Sequence, residues 1–350
     1  MQRSPMTPLA APPSTKGTIT RLAVARAATA GVDPGPLLRK AGLSAAQVQT
    51  PNSRMDAAGQ VTFLNLVADT LHDDLLGFHL ARDFEPREAG LLYFVLASSA
   101  TLGDALARAE RYSAITNESI RLWCQQEGGF SIRHGYVGVS RHRDRHQMEF
   151  WATLLVRLCQ TLTATTINPV RVAFAHPRCG ASEQLSAFFG CDVAFASGQD
   201  DVVFARHAAQ LRLIGAEPYL NELLVRYCED ALPHRAEPIS TPLRARVENA
   251  LAPLLPHGSA RAGEVARILG MSERTLARRL SVEGLAFAEI KEDMRKYLAQ
   301  LYIADASLSI SHIAWLLGFQ EVSAFTHAFK RWTGLPPTQA RIAHRCSPGL

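Results

Sequence analysis

The chain has 350 residues, 47% hydrophobic and 20% charged, a composition typical of a globular protein that excludes a disordered or fibrous chain. This length predicts two domains, each large enough to form its own core. The net charge of +5 is uneven, since residues from Thr241 onward carry 14 Lys and Arg against 9 Asp and Glu while the earlier residues carry 23 of each. The imbalance favours an anionic partner, such as nucleic acid, for the last third of the chain.

The sequence carries no recognisable signal for export or membrane insertion. Residues 1–17 contain several prolines and no apolar run, so they are expected to form a flexible tail. The most apolar stretch, residues 91–100, has about half the length that a membrane-spanning helix needs. The six cysteines are scattered without a close pair, which favours reduced thiols. We therefore expect a soluble, cytoplasmic protein with no membrane partner.

Residues 18–229 contain both helix-like and strand-like patterns of apolar residues, which predicts an α+β domain. Apolar residues recur every three to four positions in four segments predicted to be helices, 18–30, 56–71, 101–116 and 146–165. Shorter β-rich runs predict five strands, at 119–125, 130–139, 170–176, 192–197 and 201–205. Gly128 and Gly129 predict a hairpin turn between the first two strands.

Residues 230–240 are predicted to be an interdomain linker, because Pro233 and Pro238 interrupt the preceding helical pattern. Beyond the linker the strand pattern disappears, and the sequence reads as helices separated by Gly, Ser and Pro. The expected fold is therefore an α+β domain followed by an all-α domain at residues 241–345.

Two segments of the all-α region repeat each other. Ala266 and Gly270 recur 48 positions later as Ala314 and Gly318. A small residue lets two helices cross closely, and a glycine can end the first helix in a left-handed conformation. Each segment therefore predicts a helix-turn-helix unit. One such unit fits an ordinary helical hairpin with a solvated basic face equally well, but two in tandem favour DNA binding.

The second helix of each unit is predicted to bury one face and to present a polar face. Leu276 and Leu280 share the buried face in the first unit, and Phe325 and Phe329 share it in the second. Ser272 is predicted to cap the first of these helices, and Gln320 is a weaker equivalent in the second. Outward residues proposed to contact DNA are Ser272, Arg274, Thr275, Arg278 and Arg279 in the first unit, and Gln320, Ser323, His327, Lys330 and Arg331 in the second.

Between the two units, residues 287–304 have helical spacing and predict a helix about 25 Å long. A strut of that size can hold two recognition helices near one DNA turn apart, roughly 34 Å, so that one chain reads a long asymmetric site.

The run from Ala262 to Arg341 resembles the DNA-binding domain of AraC/XylS-family transcription regulators. The resemblance rests on Ser-Glu-Arg-Thr-Leu-Ala-Arg-Arg-Leu at 272–280 and on the signature at 317–337, Leu-Gly-Phe-Gln-Glu-Val-Ser-Ala-Phe-Thr-His-Ala-Phe-Lys-Arg-Trp-Thr-Gly-Leu-Pro-Pro. It implies base-facing positions at Arg274, Ala277 and Arg278 and at Val322, Ser323 and His327. Ala340 departs from the family pattern, which usually has an aromatic residue before the final arginine.

The segments 90–106 and 187–193 are similar to the amino-terminal arabinose-binding-like domain of regulators related to the ornithine-utilisation regulator. This resemblance implies a domain that binds a small-molecule effector, such as an amino acid or another metabolite, and that can form a homodimer. Together the resemblances imply a transcription regulator, an activator, that binds double-stranded promoter DNA and RNA polymerase.

Two alternatives stay open. The amino-terminal domain of a DNA-binding regulator can serve dimerisation alone, without any effector, or a ligand-binding protein can use its basic helical tail to dock a protein partner. The sequence contains no G-x-S-x-G, P-loop or G-x-G-x-x-G motif, so no catalytic residue, enzyme activity or cofactor is expected.

The run Arg-His-Arg-Asp-Arg-His at 141–146 is a further candidate site. Arg141, Arg143 and Arg145 are weak candidates for binding an acidic effector. His142, His146 and Glu149 could supply metal ligands from one helix face. The density of arginine opposes a cation, so the sequence favours a solvated helix start or an anion-binding loop and predicts no metal site.

Overall fold

The computed structural model describes residues 13–50, 53–125, 130–137, 139, 141–177, 182–232, 243–256, 258–305 and 308–346. The amino-terminal part contains ten α-helices among its described residues: α1 Thr18–Thr29, α2 Pro34–Lys40, α3 Ala45–Gln49, α4 Ala57–Leu71, α5 Leu76–Asp83, α6 Leu91–Ala97, α7 Leu102–Tyr112, α8 Arg145–Thr163, α9 Glu183–Phe189 and α10 Pro218–Ala231. It also contains the strands β1 Ser14–Thr15, β2 Met55–Asp56, β3 Ile120–Gln125, β4 Phe130–Tyr136, β5 Arg171–Ala173, β6 Val193–Ala194 and β7 Asp200–Phe204.

Five of these strands form a mixed sheet in the order β3-β4-β7-β5-β6. The β3 and β4 strands pair antiparallel with Gln125 opposite Ser131, as the predicted hairpin requires. The predicted turn at Gly128 and Gly129 lies outside the described residues. The β7 strand runs antiparallel to β4 and β5, whereas β5 and β6 are parallel.

The long helix α8 joins the sheet to the helices of this domain. Val156 and Cys159 of α8 share a core with the sheet residues Ile132 and Val202. Phe150, near the start of the same helix, belongs to a second core that is built from α1 to α5. Both ends of α8 are therefore fixed by apolar packing, and its first turns lie deep inside the domain.

The first described residues are ordered. Residues 1–17 are expected from the sequence to form a flexible tail, but Ser14 and Thr15 pair with Asp56 and Met55 in a two-stranded sheet. The expectation is therefore wrong for residues 13–17, and residues 1–12 lie outside the described part. The expected linker also begins late, because α10 continues to Ala231, and residues 233–240 of that linker are not described.

The carboxyl-terminal part is helical throughout the residues described from Leu243 to Cys346. Its helices are α11 Leu243–Leu251, α12 Ala262–Ile268, α13 Glu273–Val282, α14 Phe287–Ala304, α15 Ile310–Leu316, α16 Val322–Thr333 and α17 Pro337–Cys346. They enclose one core that includes Leu276, Ile290, Met294, Ile313 and Phe325. The predicted fold class, an α+β domain followed by an all-α domain, is confirmed.

Candidate nucleic-acid interface

The two turns of the repeated units are built as the sequence predicts. Gly270 and Gly318 have φ angles of 69° and 70°, in the left-handed region that favours glycine. A Cβ at Gly318 would also collide with the carbonyl oxygen of Leu255. Ala266 and Ala314 are buried on the first helix of their units. Thus α12 with α13, and α15 with α16, form two helix-turn-helix units.

The recognition helix of the first unit, α13, begins with a side-chain cap. Ser272 Oγ accepts a hydrogen bond of 3.2 Å from the backbone N–H of Thr275, which confirms the predicted cap. The Thr275 hydroxyl lies 2.9 Å from the same Oγ and is half-buried. Leu276 and Leu280 are buried beneath the helix. The N-terminus of α13 is therefore fixed before any DNA binds.

The outward face of α13 is cationic and free. The side chains of Arg274, Arg278 and Arg279 are exposed. In the part of the chain that the structure describes, none of their guanidinium groups makes an ion pair or a hydrogen bond. Ala277, between them, is exposed as well. Unpaired guanidinium groups on a rigid helix suit the bidentate recognition of guanine edges and phosphates.

The recognition helix of the second unit, α16, is held differently. It begins at Val322 after Glu321, and Glu321 makes no capping bond through its side chain. The prediction that Gln320 caps this helix is wrong, because Gln320 lies one residue before the N-cap. Ser323 Oγ donates to Glu321 Oε2 at 3.1 Å. Exposed side chains along or beside this helix are Gln320, Val322, Ser323, His327, Lys330 and Arg331.

Arg331 contacts the strut α14, and its predicted contact with DNA stays a prediction. Its guanidinium donates to Glu292 Oε1 at 2.7 Å, and Trp332 Nε1 donates to the same oxygen at 2.9 Å. These two donors lower the pKa of Glu292. Arg331 therefore orients α16 against α14, while His327 and Lys330 have no such partner among the described residues.

The strut α14 has the predicted bounds. Its residue Arg295, which the sequence does not single out, holds the turn of the second helix-turn-helix unit. Arg295 donates to the carbonyl oxygens of Leu317 at 2.8 Å and Gly318 at 2.9 Å. Its guanidinium lies 4.5 Å from the centre of the Phe319 ring. These contacts close the C-terminal end of α15, where backbone carbonyls lack helical partners. No local sequence signal separates Arg295 from the other basic residues of this helix.

The arginines proposed as effector contacts do not converge on one point. Arg141 pairs with Asp144 at 3.1 Å and with Asp200, and Arg145 pairs with Asp74 at 3.3 Å. Arg143 instead lies over the ring of Tyr297 of α14, 5.2 Å from its centre. Their role in binding an acidic effector stays a prediction.

The start of α8 is buried, which contradicts the expected solvated helix start. Glu149 is fully buried, with its two carboxyl oxygens 3.6 Å from His176 Nε2 and from His146 Nδ1. His176 Nδ1 donates to the Pro177 carbonyl at 2.9 Å, and the Gly77 N–H donates to His146 Nδ1 at 3.4 Å. Both nitrogens that face Glu149 are therefore acceptors when the rings are neutral.

This acceptor-rich arrangement disfavours an ionised Glu149. Burial raises the pKa of Glu149 to about 8 and lowers the pKa of His176 to about 4. The pKa of His146 is also lowered by burial. Among the described residues, no group of three or more His, Cys, Asp and Glu side chains is placed to hold a metal ion.

The segment that leads into α8 contacts the helical domain directly. The backbone N–H of Arg141 donates to Asn249 Oδ1 of α11 at 2.9 Å, and Asn249 Nδ2 donates to the Val139 carbonyl at 3.3 Å. The rings of His142 and Tyr297 lie 5.4 Å apart. The segment immediately before α8 is thereby connected to α11 and to the strut α14.

Two family models match the chain. Residues 31–213 match the arabinose-binding domain of AraC transcription regulators, N-terminal, and residues 265–342 match a helix-turn-helix domain. The first match alone spans more than half of the chain. The chain belongs to the AraC family of transcriptional regulators. It is accordingly a DNA-binding regulator with an effector-binding-like amino-terminal domain, and not an enzyme.

Three curated relatives of this AraC-family regulator are informative. It is 27% identical over 316 residues to the transcriptional regulator VirS of Mycobacterium tuberculosis, covering 89% of this chain and 91% of VirS. It is 27% identical over 275 residues to the ornithine utilization regulator of Pseudomonas aeruginosa, covering 77% and 78%. It is 32% identical over 84 residues to the urease operon transcriptional activator of Escherichia coli, covering 24% and 28%. No helix in the described part of the chain has both the length and the apolar content for crossing a bilayer.

Proposed function

We propose that this chain is a sequence-specific activator of transcription that acts in the cytoplasm and responds to a small-molecule effector. The observation that carries the proposal is the pair of exposed recognition helices, above all the unpaired Arg274 and Arg278 on α13. Activation is proposed from the likeness to the urease operon transcriptional activator, and we propose that it involves a contact with RNA polymerase.

The two recognition helices suit different kinds of contact with double-stranded promoter DNA. Arg274 and Arg278 can each make a bidentate contact with guanine, while Ala277 and Val322 can only contact a thymine methyl group. Arg279 and Lys330 suit phosphates, which position the protein without carrying sequence information. We infer that α13 supplies most of the base reading and that α16 extends the site.

DNA binding is tested by the salt dependence of affinity for duplex DNA. Contacts to several phosphates should make the affinity fall steeply and linearly on logarithmic axes as salt rises. Genome-wide mapping of bound sites then supplies the operator and the neighbouring genes. A flat salt dependence, with capture of a protein partner by the helical domain, would instead support a role for this domain in protein docking.

The effector is proposed to be a small metabolite, such as an amino acid, bound by the amino-terminal domain. The likeness to the ornithine utilization regulator supports this class of ligand. A panel of metabolites should contain one that raises the melting temperature of the full chain, since a ligand that binds only the folded state stabilises it. Finding none would favour an amino-terminal domain that serves dimerisation alone.

The effector signal is proposed to pass through the contacts of Val139, Arg141, His142 and Arg143 with Asn249 and Tyr297. A ligand shifts an equilibrium only if it binds two states with different affinity, and this contact can differ between such states. Asn249→Ala removes both hydrogen bonds of this contact without touching α13 or α16. We expect the variant to bind DNA but to lose most of the effector-dependent change in affinity. An unchanged effector response would exclude this route.

A further inference from the structure

Glu149 differs from every other buried carboxylate in the described part of the chain. Neither of its oxygens accepts a hydrogen bond from a described residue. A buried carboxylate without a donor is costly to a fold, so this position calls for a partner that the chain does not supply. The other buried carboxylates each form an ion pair with an arginine: Glu118 with Arg54, Asp144 and Asp200 with Arg141, Asp201 with Arg171, and Glu248 with Arg244.

The charged groups that act on Glu149 are engaged elsewhere. Arg145, Asp74 and Asp73 influence its carboxyl group electrostatically. Arg145 pairs with Asp74 at 3.3 Å, and Asp73 lies 2.9 Å from His79 Nδ1. The positive charge of Arg145 is therefore shared with a second carboxylate, and its guanidinium gives no hydrogen bond to Glu149.

Three acceptors face one another at this position once Glu149 is ionised. They are the two oxygens of Glu149 and His176 Nε2, which lies 3.6 Å from Oε1 and has no hydrogen-bond partner among the described residues. His176 Nε2 is an acceptor because Nδ1 of the same ring donates to the Pro177 carbonyl. The ring is stacked on Phe174, with centroids 4.9 Å apart, which fixes its orientation. The cluster therefore lacks donors and is held in place.

We propose that this cluster binds a primary ammonium group of the effector, with Glu149 and His176 as the accepting side chains. A primary ammonium brings one positive charge and three N–H donors, which match one carboxylate and three acceptors. A water molecule has two hydrogens and no charge, and a quaternary ammonium has the charge but no donor. The inference rests on the proposed function, because it names the chemical class of the effector and its site.

Binding of the ammonium group releases a proton from the site. Burial raises the pKa of Glu149 to about 8, so the empty site holds the carboxylic acid at neutral pH. A neighbouring cation favours the ionised carboxylate. The carboxyl group then loses its proton to solvent, while the ammonium keeps all its hydrogens. Close to one proton should leave for each amine bound at about pH 7.

Binding also changes a distance inside the domain. A tetrahedral ammonium with hydrogen bonds of about 2.8 Å holds two acceptors about 4.6 Å apart. Glu149 Oε1 and His176 Nε2 are 3.6 Å apart, so the bound group would separate them by about 1 Å. Glu149 lies in the second turn of α8, and the segment immediately before α8 contacts Asn249 and Tyr297 of the helical domain. The displacement therefore starts close to the interdomain contact.

The first test is the melting temperature of the full chain with methylammonium, n-butylammonium or L-lysine as the probe. At about five times its dissociation constant, at least one of them should raise the melting temperature by about 2–4 °C. The matched control is n-butyltrimethylammonium at the same ionic strength, which has the charge and the alkyl chain but no N–H donor. It should cause no shift. The proposal is wrong if no probe acts or if the control acts equally.

Substitutions in the cluster test its residues. Glu149→Gln keeps the shape but removes the charge and one acceptor, and it should weaken binding of the active amine about 30-fold or more. His176→Phe removes the third acceptor and should weaken binding about tenfold. Glu88→Gln, at an exposed carboxylate of the same domain, is the control and should leave the affinity unchanged. An amine effect that survives Glu149→Gln would exclude the site.

Calorimetric titration of the wild-type chain in phosphate and in Tris needs no variant. The two buffers have different ionisation enthalpies, so the heats at about pH 7 should differ by the equivalent of close to one proton released per amine. The difference should largely disappear at about pH 9, where Glu149 is already ionised. Equal heats in both buffers at neutral pH would contradict the proposal.

The same measurements separate this inference from the proposed function. A metabolite without an amine that stabilises the wild-type chain and Glu149→Gln alike would leave an effector-responsive regulator and remove the ammonium site. An amine that binds through Glu149 but leaves the affinity for operator DNA unchanged would preserve the site and remove its role in regulation.

Discussion

Glu149 of the amino-terminal domain and the arginines of α13 in the helical domain lie in opposite surroundings. The amino-terminal domain buries Glu149 between His146 and His176, where the facing atoms are all acceptors. The helical domain keeps Arg274 and Arg278 on its surface, free of partners in the described structure. The first arrangement is sensitive to the protonation of Glu149. The second is a preformed surface that needs no rearrangement before it meets DNA.

A second contrast lies inside the helical domain. The first unit fixes its recognition helix locally, through the Ser272 cap. The recognition helix of the second unit, α16, has no side-chain cap and relies on Arg295 and Glu292 of α14. Local capping leaves the arginines of α13 free for DNA, whereas the fastening of α16 engages Arg331. We therefore expect base reading to depend mainly on the first unit.

The largest expected effect comes from Arg295→Ala. The change removes two charge-assisted hydrogen bonds to the second turn and the contact with Phe319. We expect the helical domain to lose about 3 kcal/mol of unfolding free energy. Urea unfolding measures the loss, and Lys296→Ala, at the exposed neighbouring position, is the control. Equal effects of the two substitutions would remove the basis for treating Arg295 as the fastening of the second unit.

Glu149→Gln tests the buried acceptor cluster. The pKa of Glu149 is raised in the folded state, so the folded chain keeps a proton that the unfolded chain releases. This contribution to stability is complete below pH 4.5 and is lost as the pH rises toward 8. The lowered pKa values of His146 and His176 act in the opposite sense, but only below their ordinary value of 6.5.

The wild-type chain should therefore lose about 2 kcal/mol of stability between pH 6.5 and pH 8, and the glutamine variant much less. Burial also raises the pKa of Asp144 to about 7, which makes stability fall with pH by the same amount in the wild-type chain and in the variant. Unfolding at several pH values measures the difference, with Glu88→Gln as an exposed control. Parallel pH profiles would mean that Glu149 is ionised in the folded chain.

The smallest expected effect on stability distinguishes the N-terminus of α13 from that of α16. Ser272→Ala removes the cap of α13 and should cost about 1 kcal/mol of stability. Gln320→Ala removes no capping bond and should change stability by no more than a few tenths. Thermal unfolding of both variants measures the difference, and a similar loss for both would contradict the contrast between the two units.

The helical domain is largely predictable from sequence because its signals are local. Glycine at positions 270 and 318 and alanine at 266 and 314 specify the turns, and the apolar spacing of α14 gives its bounds. The helices α1, α4 and α8 also follow from periodicity. The seven-residue helices α2, α6 and α9 are too short for a clear periodic pattern, and the sequence does not reveal them.

Burial is the property that the local sequence pattern does not predict. Residues 141–149 contain many charged and polar side chains and are expected to be solvated, yet α8 packs against α5 and the sheet, and His142 and Arg143 contact Tyr297 of α14. The expected solvated start of α8 is wrong because tertiary contacts bury it. The predicted Gln320 cap is wrong because α16 begins one residue later than expected. The exposed apolar side chains of Tyr219, Leu223 and Tyr227 on α10 are also not predicted by the sequence, since only the fold decides which apolar residues stay exposed.

The central claim is that α13 reads bases through its outward arginines, and Arg278→Ala on a mapped operator tests it most directly. We expect the variant to lose roughly 1–3 kcal/mol of binding free energy on the operator and much less on random duplex DNA at the same salt concentration. Arg267→Ala, on the first helix of the same unit, should lose little on either DNA. Equal losses of Arg278→Ala on both DNAs would make it a phosphate contact, and no loss on either would contradict the claim.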